Sequence, residues 1–416
     1  MRFRRTPIDR LALDTIRTLA AREGWLLETS DVIRVGFGGS ALTIELPGGL
    51  EDSAGVVEQL RSHQLVGGDG PEGTGILAFS SLPFDRDARG QLDIARFTLT
   101  QYRGGGTWLT AIDDDDVEHA WRELLEGAET PLQETQNVRS ITFQPAPDEY
   151  AHNVALAVEI LRRKEIDKVV LARAVLGSVL EPLDPAAIAQ RLRQREPICT
   201  IYSMPLNDGW RYVGASPELL ARRRGASVQC HPLAGTIALP ANVAPDDYEN
   251  WLLGSTKNLH EHAVLVDDIV TILANAYDDI AADPGPSIVA LRTVAHLGTW
   301  INGTSSDVAL APDALELLRL LHPTAAVGGI PRESAYELIG RLEQHDRGHY
   351  AGPIGWIDAN GDGEWWVGIR GIMVRDNEFE AWAGAGIVSE SDPIAEREET
   401  KDKLASVLSS VLVDRV

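Results

Sequence analysis

The sequence predicts an α/β protein, because strand-like and helix-like segments both recur along its 416 residues. Short apolar runs at 32–35, 41–44 and 75–79 are separated by Gly, Pro and Asp clusters, a pattern typical of strands and turns. Farther along, residues 150–163 predict a helix and residues 168–173 predict a strand. With 44% hydrophobic and 24% charged residues, the composition is that of a globular protein with one large domain or two.

The chain is strongly acidic, with a net charge of −24, which argues against nucleic acid and anionic membranes as partners. Any anionic ligand therefore needs local positive charge or a bound cation. The two cysteines, Cys199 and Cys230, lie outside any CxxC motif and are too few for a disulfide framework. Because the N-terminus lacks a secretory signal and no run of about 18 apolar residues occurs, we expect a cytoplasmic protein without membrane spans.

Two regions are expected, 1–135 and 140–416, with a polar connector at 129–137. The acidic run at 113–116 could bind a metal ion. We interpret it as the cap of a helix that begins near Val117, because aspartate is favoured at helix N-termini.

Residues 358–363 (DANGDG) begin like a calcium-binding EF-hand loop. The twelfth position of such a loop requires a glutamate, and here it is Ile369. We therefore predict a hairpin turn that joins strands at 353–358 and 364–370.

The glycine-rich segment 384–393 (GAGIVSESDP) predicts a turn that leads into a helix, with Asp392 as its cap. Spacings of three and four place Glu396, Glu399 and Lys403 on one face of that helix. Two acids and a base at a helix entrance suit a metal ion and an anionic ligand. The alternative is a solvated charged face favoured by the helix dipole.

A second helix, from about Ser255, has an apolar stripe with Glu261 roughly opposite it. The residues of the stripe are Leu259, Ala263, Val266, Val270 and Leu273. His260 and His262 flank Glu261, but adjacent helical side chains diverge and the His-Glu-x-x-His spacing of zinc sites is absent.

Three further segments have both a functional and a structural interpretation. Lys168 begins a predicted strand, where a lysine is more often a solvated edge residue than a catalytic one. The acid of Ser-Pro-Glu218 could simply belong to a turn. Gly235 and Thr236 together offer exposed amides and a hydroxyl that suit a carboxylate, although the signal is weak alone.

Taken in order, these segments resemble the chorismate-utilising enzyme family. The resemblance covers roughly residues 140–410, and nine collinear motifs carry it. The motifs are KVVLAR (168–173), SPELL (216–220), PLAGT (232–236), KNLHEH (257–262), HLGT (296–299), LHPTAAVGG (321–329), YAGPIGW (350–356), GEWWVGIR (363–370) and AGAGIV (383–388) with its continuation to Lys403.

The resemblance implies two large, mainly antiparallel sheets packed face to face, with helices outside and the active site in the cleft between them. Residues 1–135 would contribute strands to the same fold. The implied activity is conversion of chorismate to isochorismate by addition of water at C2 and loss of the C4 hydroxyl. Alternatives are salicylate synthase, the large subunit of an anthranilate or aminodeoxychorismate synthase, and a non-catalytic chorismate-binding protein. Menaquinone and siderophore pathways both remain open.

By the same resemblance, Lys168 is the base that activates water and Glu218 is the acid that protonates the leaving hydroxyl. A lysine needs a depressed pKa for such a role, and a glutamate a raised one. Mg²⁺ is assigned to Glu261 and Glu399, with Glu396 acting through water. The residues implied to contact the substrate are Gly235, Thr236, His296, Ala326, Val327, Tyr350, Ile369, Arg370, Gly384 and Lys403. A monomer without a glutaminase partner is expected.

Overall fold

Runs of consecutive strands are separated by helices along the chain. The computed structural model describes residues 1–113, 120, 121, 123, 125, 131–132, 137–239 and 245–412. Its strands are β1 (Arg2–Ile8), β2 (Trp25–Glu28), β3 (Val32–Leu46), β4 (Gln64–Gly67), β5 (Leu77–Ser81), β6 (Gly90–Tyr102), β7 (Thr107–Ile112), β8 (Val138–Gln144), β9 (Lys168–Val179), β10 (Thr200–Pro205), β11 (Arg211–Ser216), β12 (Leu219–Arg224), β13 (Ser227–His231), β14 (Leu233–Ala238), β15 (Asp279–Ala282), β16 (Ser287–Ala290), β17 (Val294–Gly298), β18 (Ile301–Thr304), β19 (Gly329–Ile330), β20 (Pro353–Asp358), β21 (Gly363–Val367), β22 (Gly371–Arg375) and β23 (Glu378–Ile387). Its helices are α1 (Leu13–Glu23), α2 (Val56–Arg61), α3 (Pro147–Arg162), α4 (Pro185–Arg195), α5 (Pro245–Leu253), α6 (Thr256–Leu273), α7 (Ala314–Leu321), α8 (Arg332–Leu342) and α9 (Pro393–Leu408), with short 3₁₀ turns at Gly49–Ser53 and Asn207–Gly209.

Most strands belong to two large arms of sheet. The first arm runs β4-β1-β7-β6-β3-β2-β10-β11-β22-β23-β9, with β8 and β19 both paired to β9. The second arm runs β5-β20-β21-β12-β13-β18-β15. Among the described residues, every pair except β1–β4 is antiparallel. The two arms are joined where β5 pairs with β6, so their hydrogen bonding is continuous. Strands β14, β17 and β16 form a separate small sheet.

The two arms pack against each other through one large apolar core. Trp25, Tyr212 and Trp382 of the first arm share this core with Trp356 and Trp365 of the second. A second core lies on the other face of the first arm, beneath α1, α4 and α9. The predicted fold class is therefore confirmed, and the junction at β6 adds a connection between the sheets.

Helix α9 begins as its sequence predicts. Pro393 takes the first helical position, where its fixed φ suits the helix and its missing N–H needs no partner. Asp392 accepts hydrogen bonds from the backbone N–H groups of Ile394 and Ala395, at 3.1 and 2.8 Å. This cap fixes where the helix starts and so aims the face that carries Glu396.

The predicted apolar stripe of α6 is confirmed in part: Leu273 is buried and Val270 packs against the main core, whereas Ala263 is exposed. The fully buried residues of the helix are Asn258, His262, Leu265, Ile269 and Leu273. Leu259 packs beside the small-sheet cluster, and Val266 packs against the main core. The helix thus packs against two hydrophobic clusters, so its apolar residues do not form a single stripe.

The predicted strands and hairpin turn can be compared with the structure, whereas two other predictions fall mostly outside the described residues. The runs at 32–35 and 41–44 belong to one long strand, β3, and the turn at 358–363 joins β20 to β21 as predicted. The predicted helix start near Val117 and most of the connector at 129–137 lie outside the described residues. In the part of the chain that is described, no helix is both long and apolar enough to cross a membrane.

Candidate active site

A cavity opens where the chain crosses between the two arms, beside the small sheet. Pro217 and Glu218 lie on the link from β11 to β12, and Ile369 and Arg370 on the link from β21 to β22. The empty space of the cavity is about 850 Å³, including the open solvent at its mouth. The described residues that line it are Val170, Pro217, Glu218, Leu233, Ala234, Thr236, Lys257, Asn258, Glu261, His296, Ala326, Val327, Tyr350, Ile369, Arg370, Trp382, Ala383, Gly384, Gly386, Glu396, Glu399 and Lys403.

Every predicted site residue except Lys168 and Gly235 is among these lining residues. Lys168 is buried at the start of β9, and its Nζ lies 2.8 Å from Oε1 of Glu261. Gly235 precedes Thr236 in β14 and has a left-handed φ of +70°. A Cβ atom at this position would lie 3.0 Å from the backbone oxygen of Asn258, so glycine lets β14 approach the first turn of α6.

The three predicted metal ligands are each paired with a lysine. Besides the Lys168–Glu261 pair, Nζ of Lys257 lies 2.9 Å from Oε1 of Glu396. Nζ of Lys403 lies 2.6 Å from Oε1 of Glu399, one helical turn away on α9. The carboxylates are thus neutralised by the chain's own ammonium groups.

These charges act on one another. Burial works to raise the pKa of Glu261, but the charge and hydrogen bond of Lys168 outweigh it and hold this pKa below its ordinary value. Burial, followed by the charge of Glu399, raises the pKa of Glu396, although Lys257 opposes the shift. The two glutamates of α9 therefore repel each other, and a cation near both would relieve that repulsion.

Glu218 differs from the other three glutamates of the cavity because, among the described residues, no cation forms an ion pair with it. Burial raises the pKa of Glu218 to about 8, although a hydrogen bond from the backbone of Leu233 and the charge of Lys168 oppose the shift. Ser216 Oγ donates to the carbonyl of Val367 at 2.6 Å and so ties the Ser-Pro-Glu turn to β21. A carboxyl group that stays protonated at neutral pH can donate a proton to a ligand.

His296 links the small sheet to Arg370. Burial, followed by the charges of Arg370 and Lys403, holds the pKa of His296 well below its ordinary value, so the ring is neutral. Nη2 of Arg370 lies 3.0 Å from Nε2, and a guanidinium can only donate, so the ring proton is on Nδ1. Nδ1 then donates to Oγ1 of Thr236 at 2.9 Å. The hydroxyl proton of Thr236 is thereby left for a ligand in the cavity.

Arg370 has a left-handed backbone, with φ of +55°. This conformation costs a bulky residue about 1–3 kcal/mol and persists only where neighbours impose it. The carbonyl of Arg370 accepts a hydrogen bond from the N–H of Ala215 at 3.0 Å, and the next residue begins β22. The strained link turns the guanidinium toward the cavity, where it can bind a carboxylate.

A glycine in β23 lets the acid and base side chains converge. A Cβ atom at Gly386 would lie 2.5 Å from Oε1 of Glu261 and 3.1 Å from Cε of Lys168. Two positions earlier, the carbonyl of Gly384 accepts a hydrogen bond from Nζ of Lys403 at 2.9 Å. The Gly-Ala-Gly segment therefore positions two lysines: Gly386 leaves room for Lys168, and the carbonyl of Gly384 binds Lys403.

Lys257 begins the KNLHEH motif, but the sequence alone assigned it no role. It lies four residues before Glu261, a spacing that puts both on one face of α6. That spacing could have placed Lys257 in the predicted site. Its partner Glu396 comes from α9, a contact that local periodicity cannot predict.

The donor chemistry fits a hard divalent cation such as Mg²⁺, because three carboxylates supply oxygen ligands and two of them repel each other. Among the described residues, no three histidine, cysteine, aspartate or glutamate side chains are grouped closely enough to hold a metal ion. Glu261, Glu396 and Glu399 would hold the ion after exchanging their lysine partners for it.

Comparison with known proteins agrees with this fold. The family model described as chorismate binding enzyme matches residues 17–412. The vibriobactin-specific isochorismate synthase of Vibrio cholerae is 33% identical over 285 residues, which are 68% of this chain and 72% of that protein. Isochorismate synthase EntC of Escherichia coli is 34% identical over 278 residues, 66% of this chain and 70% of that protein.

The solved structure of MenF, the menaquinone-specific isochorismate synthase from Escherichia coli, superimposes with a TM-score of 0.80 at 26% sequence identity. The match covers 98% of this chain and 94% of that one. The fold and the cavity are thus those of an α/β enzyme that binds a small molecule. This chain belongs to the family of chorismate-binding enzymes.

Proposed function

We propose that this chain is an isochorismate synthase, an isomerase that moves the hydroxyl group of chorismate from C4 to C2. The observation that carries the proposal is Glu218, a carboxyl group protonated at neutral pH and within electrostatic reach of Lys168. A hydroxyl leaves readily only when it is protonated, and water attacks readily only when a base accepts its proton. The similarity to proteins named isochorismate synthases supports the same reaction.

Glu218 and Lys168 divide the proton transfers between them. Lys168 accepts a proton from the water that attacks C2, while Glu218 donates one to the C4 hydroxyl, which departs as water. Lys168 must be a neutral amine before it can accept a proton, so in that state it cannot be the ammonium partner of Glu261. The proposed base role therefore requires Glu261 to exchange Lys168 for another cation.

The charge of the cavity supports a bound divalent cation. Four cations (Lys168, Lys257, Lys403 and Arg370) against three carboxylates (Glu261, Glu396 and Glu399) leave one positive charge. Chorismate carries two carboxylates, so its binding alone would make the site negative. When bound, Mg²⁺ would supply two positive charges and neutralise the ring carboxylate.

The cationic side chains divide between the substrate's carboxylates. Arg370 can form a bidentate pair with one of them, and Lys403 supplies a point charge. Neutral His296 holds the guanidinium from one side, and the hydroxyl of Thr236 can donate to the same ligand. Gly384, Tyr350 and Ile369 line the wall around it, and Gly235 lets β14 approach α6 beside that wall.

Isochorismate, and not salicylate with pyruvate, is the expected product. Elimination of pyruvate depends on how the enolpyruvyl arm is oriented over the ring. Ala326 and Val327 line the cavity, and their apolar side chains offer no hydrogen bond to steer that arm. Incubation of the purified protein with chorismate and Mg²⁺, followed by chromatographic identification of products, tests this. Salicylate and pyruvate forming as fast as isochorismate, without an added lyase, would contradict the proposal.

The rate should fall as pH rises through about 8, the pKa of Glu218. Because the pKa is raised, the group is protonated below this pH and loses above it the proton that it must donate. A profile of kcat/KM from neutral to alkaline pH measures the effect. Any residual activity of Glu218→Gln should lack this alkaline limb. A wild-type profile that stays level well above that pKa would exclude Glu218 as the acid.

We further propose that the protein works in the cytoplasm as a monomer, without a glutaminase partner. The proposed nucleophile is water, so no ammonia needs to be delivered. The presence of Lys168 supports water as the nucleophile, because water needs a base to accept its proton, whereas ammonia can attack C2 without one. Light scattering of the purified protein at assay concentration tests the monomer.

A further inference from the structure

One edge of β9 has a gap between its partner strands. Residues 168 and 169 pair with β19, and pairing with β8 resumes at Ala174. Among the described residues, no strand pairs with positions 170–173 on this edge. Backbone groups buried in such a gap must find other partners, because an unpaired one is costly. This gap lies beside the cavity, since Val170 is part of the cavity wall.

A buried ion pair fills the gap. Nη2 of Arg347 donates to the carbonyl of Val170 at 2.8 Å, and Oε1 of Glu343 accepts from the N–H of Ala172 at 2.7 Å. The two side chains are 2% and 3% exposed, and they bond to each other through both ends of the guanidinium fork. The pair thus replaces a missing stretch of strand.

The same arginine reaches two more parts of the cavity wall. Its Nη1 donates to the carbonyl of Val327 at 2.7 Å, and its own carbonyl accepts from the N–H of Tyr350 at 2.9 Å. Its guanidinium also lies over the ring of Phe84, 4.3 Å from the centroid. Val170, Val327 and Tyr350 all line the cavity, and each has a backbone group bonded to Arg347.

We propose that Arg347 is a positioning residue for the isomerisation. It fixes three segments of the cavity wall relative to one another and so sets where the substrate's ring lies between Lys168 and Glu218. Arg347 is not among the lining residues and acts only through the backbone that it holds. This inference rests on the proposed function, and it adds a residue that the motifs of the active site do not include.

A lysine at this position separates positioning from charge. Arg347→Lys keeps the positive charge beside Glu343 but cannot reach Val170, Val327 and Glu343 together, because an ammonium lacks the planar fork. The matched control is Arg223→Lys. Arg223 pairs with Asp362 at 2.8 Å, with both side chains 4% exposed, and neither residue lines the cavity. Both variants therefore disturb a buried ion pair, and only one touches the wall.

The experiment measures amide hydrogen exchange and steady-state kinetics on both full-length variants, well below their unfolding temperatures. We expect Arg347→Lys to speed exchange in 168–173, 324–330 and 347–352 and to lower kcat by about 10–100-fold, since small misplacements of reacting groups are costly. Arg223→Lys should leave exchange in these segments and kcat unchanged, even where its melting temperature falls by the same amount.

Three results would overturn the proposal. The first is unchanged exchange in the three segments of Arg347→Lys. The second is a kcat within about twofold of wild type, and the third is a loss of kcat in both variants that simply follows their melting temperatures. If the wild-type protein forms no isochorismate, the proposed function fails. The exchange data then still decide whether Arg347 holds the wall.

Discussion

Replacing Glu218 by glutamine is expected to lower kcat for isochorismate formation by about 10²–10⁴-fold, the usual contribution of a general acid. Glutamine has nearly the same shape but cannot release a proton to the C4 hydroxyl. The variant should stay folded, because it removes a buried group whose ionised form is disfavoured. Rates measured at saturating chorismate and Mg²⁺ would give the effect on kcat separately from binding.

Lys168→Ala should cause a loss of similar size, since no other base would accept the proton of water. Lys164→Ala is the control, because Lys164 is exposed and lies four residues away along the chain. Removing Lys168 also opens space beside C2, so trace aminated product at high ammonium concentration would support the geometry. A Lys168→Ala enzyme within a few-fold of wild type would rule out the proposed base.

Removal of the metal should have the second large effect. We expect EDTA to abolish turnover and added Mg²⁺ to restore it. Glu261→Gln should raise the Mg²⁺ concentration needed for half-maximal rate by at least about 10–100-fold, the cost seen even for residues one layer behind a ligand. The variant removes the charge of one proposed ligand with little change in volume, so circular dichroism should show an intact fold.

Asp267→Asn provides the comparison for Glu261→Gln. It neutralises an exposed carboxylate on the same helix and should leave the Mg²⁺ requirement unaltered. Full activity of Glu261→Gln at limiting Mg²⁺ would remove that residue from the metal site. Better activation by zinc than by magnesium would argue against an all-oxygen site.

Sequence motifs predicted which residues would meet, but not how they would pair. Asp392 and Pro393 predicted the start of α9, because capping chemistry is local. The apolar stripe of α6 was predicted only in part, because that helix packs on two sides and its surroundings come from distant segments. Lys257 pairs with Glu396 on another helix, 139 positions along the chain. The hydrogen bonds of Arg347 join three separate segments. Such contacts depend on the assembled fold.

The three lysine–glutamate pairs have a consequence for the life of the protein in the cell. Carboxylates crowded in one cavity would repel one another in a newly made chain, and many metalloproteins need their ion before they can fold. Here the polypeptide brings its own counter-ions. On the proposed magnesium requirement, folding would not depend on the ion, so protein made without magnesium should be intact but inactive until the ion is supplied.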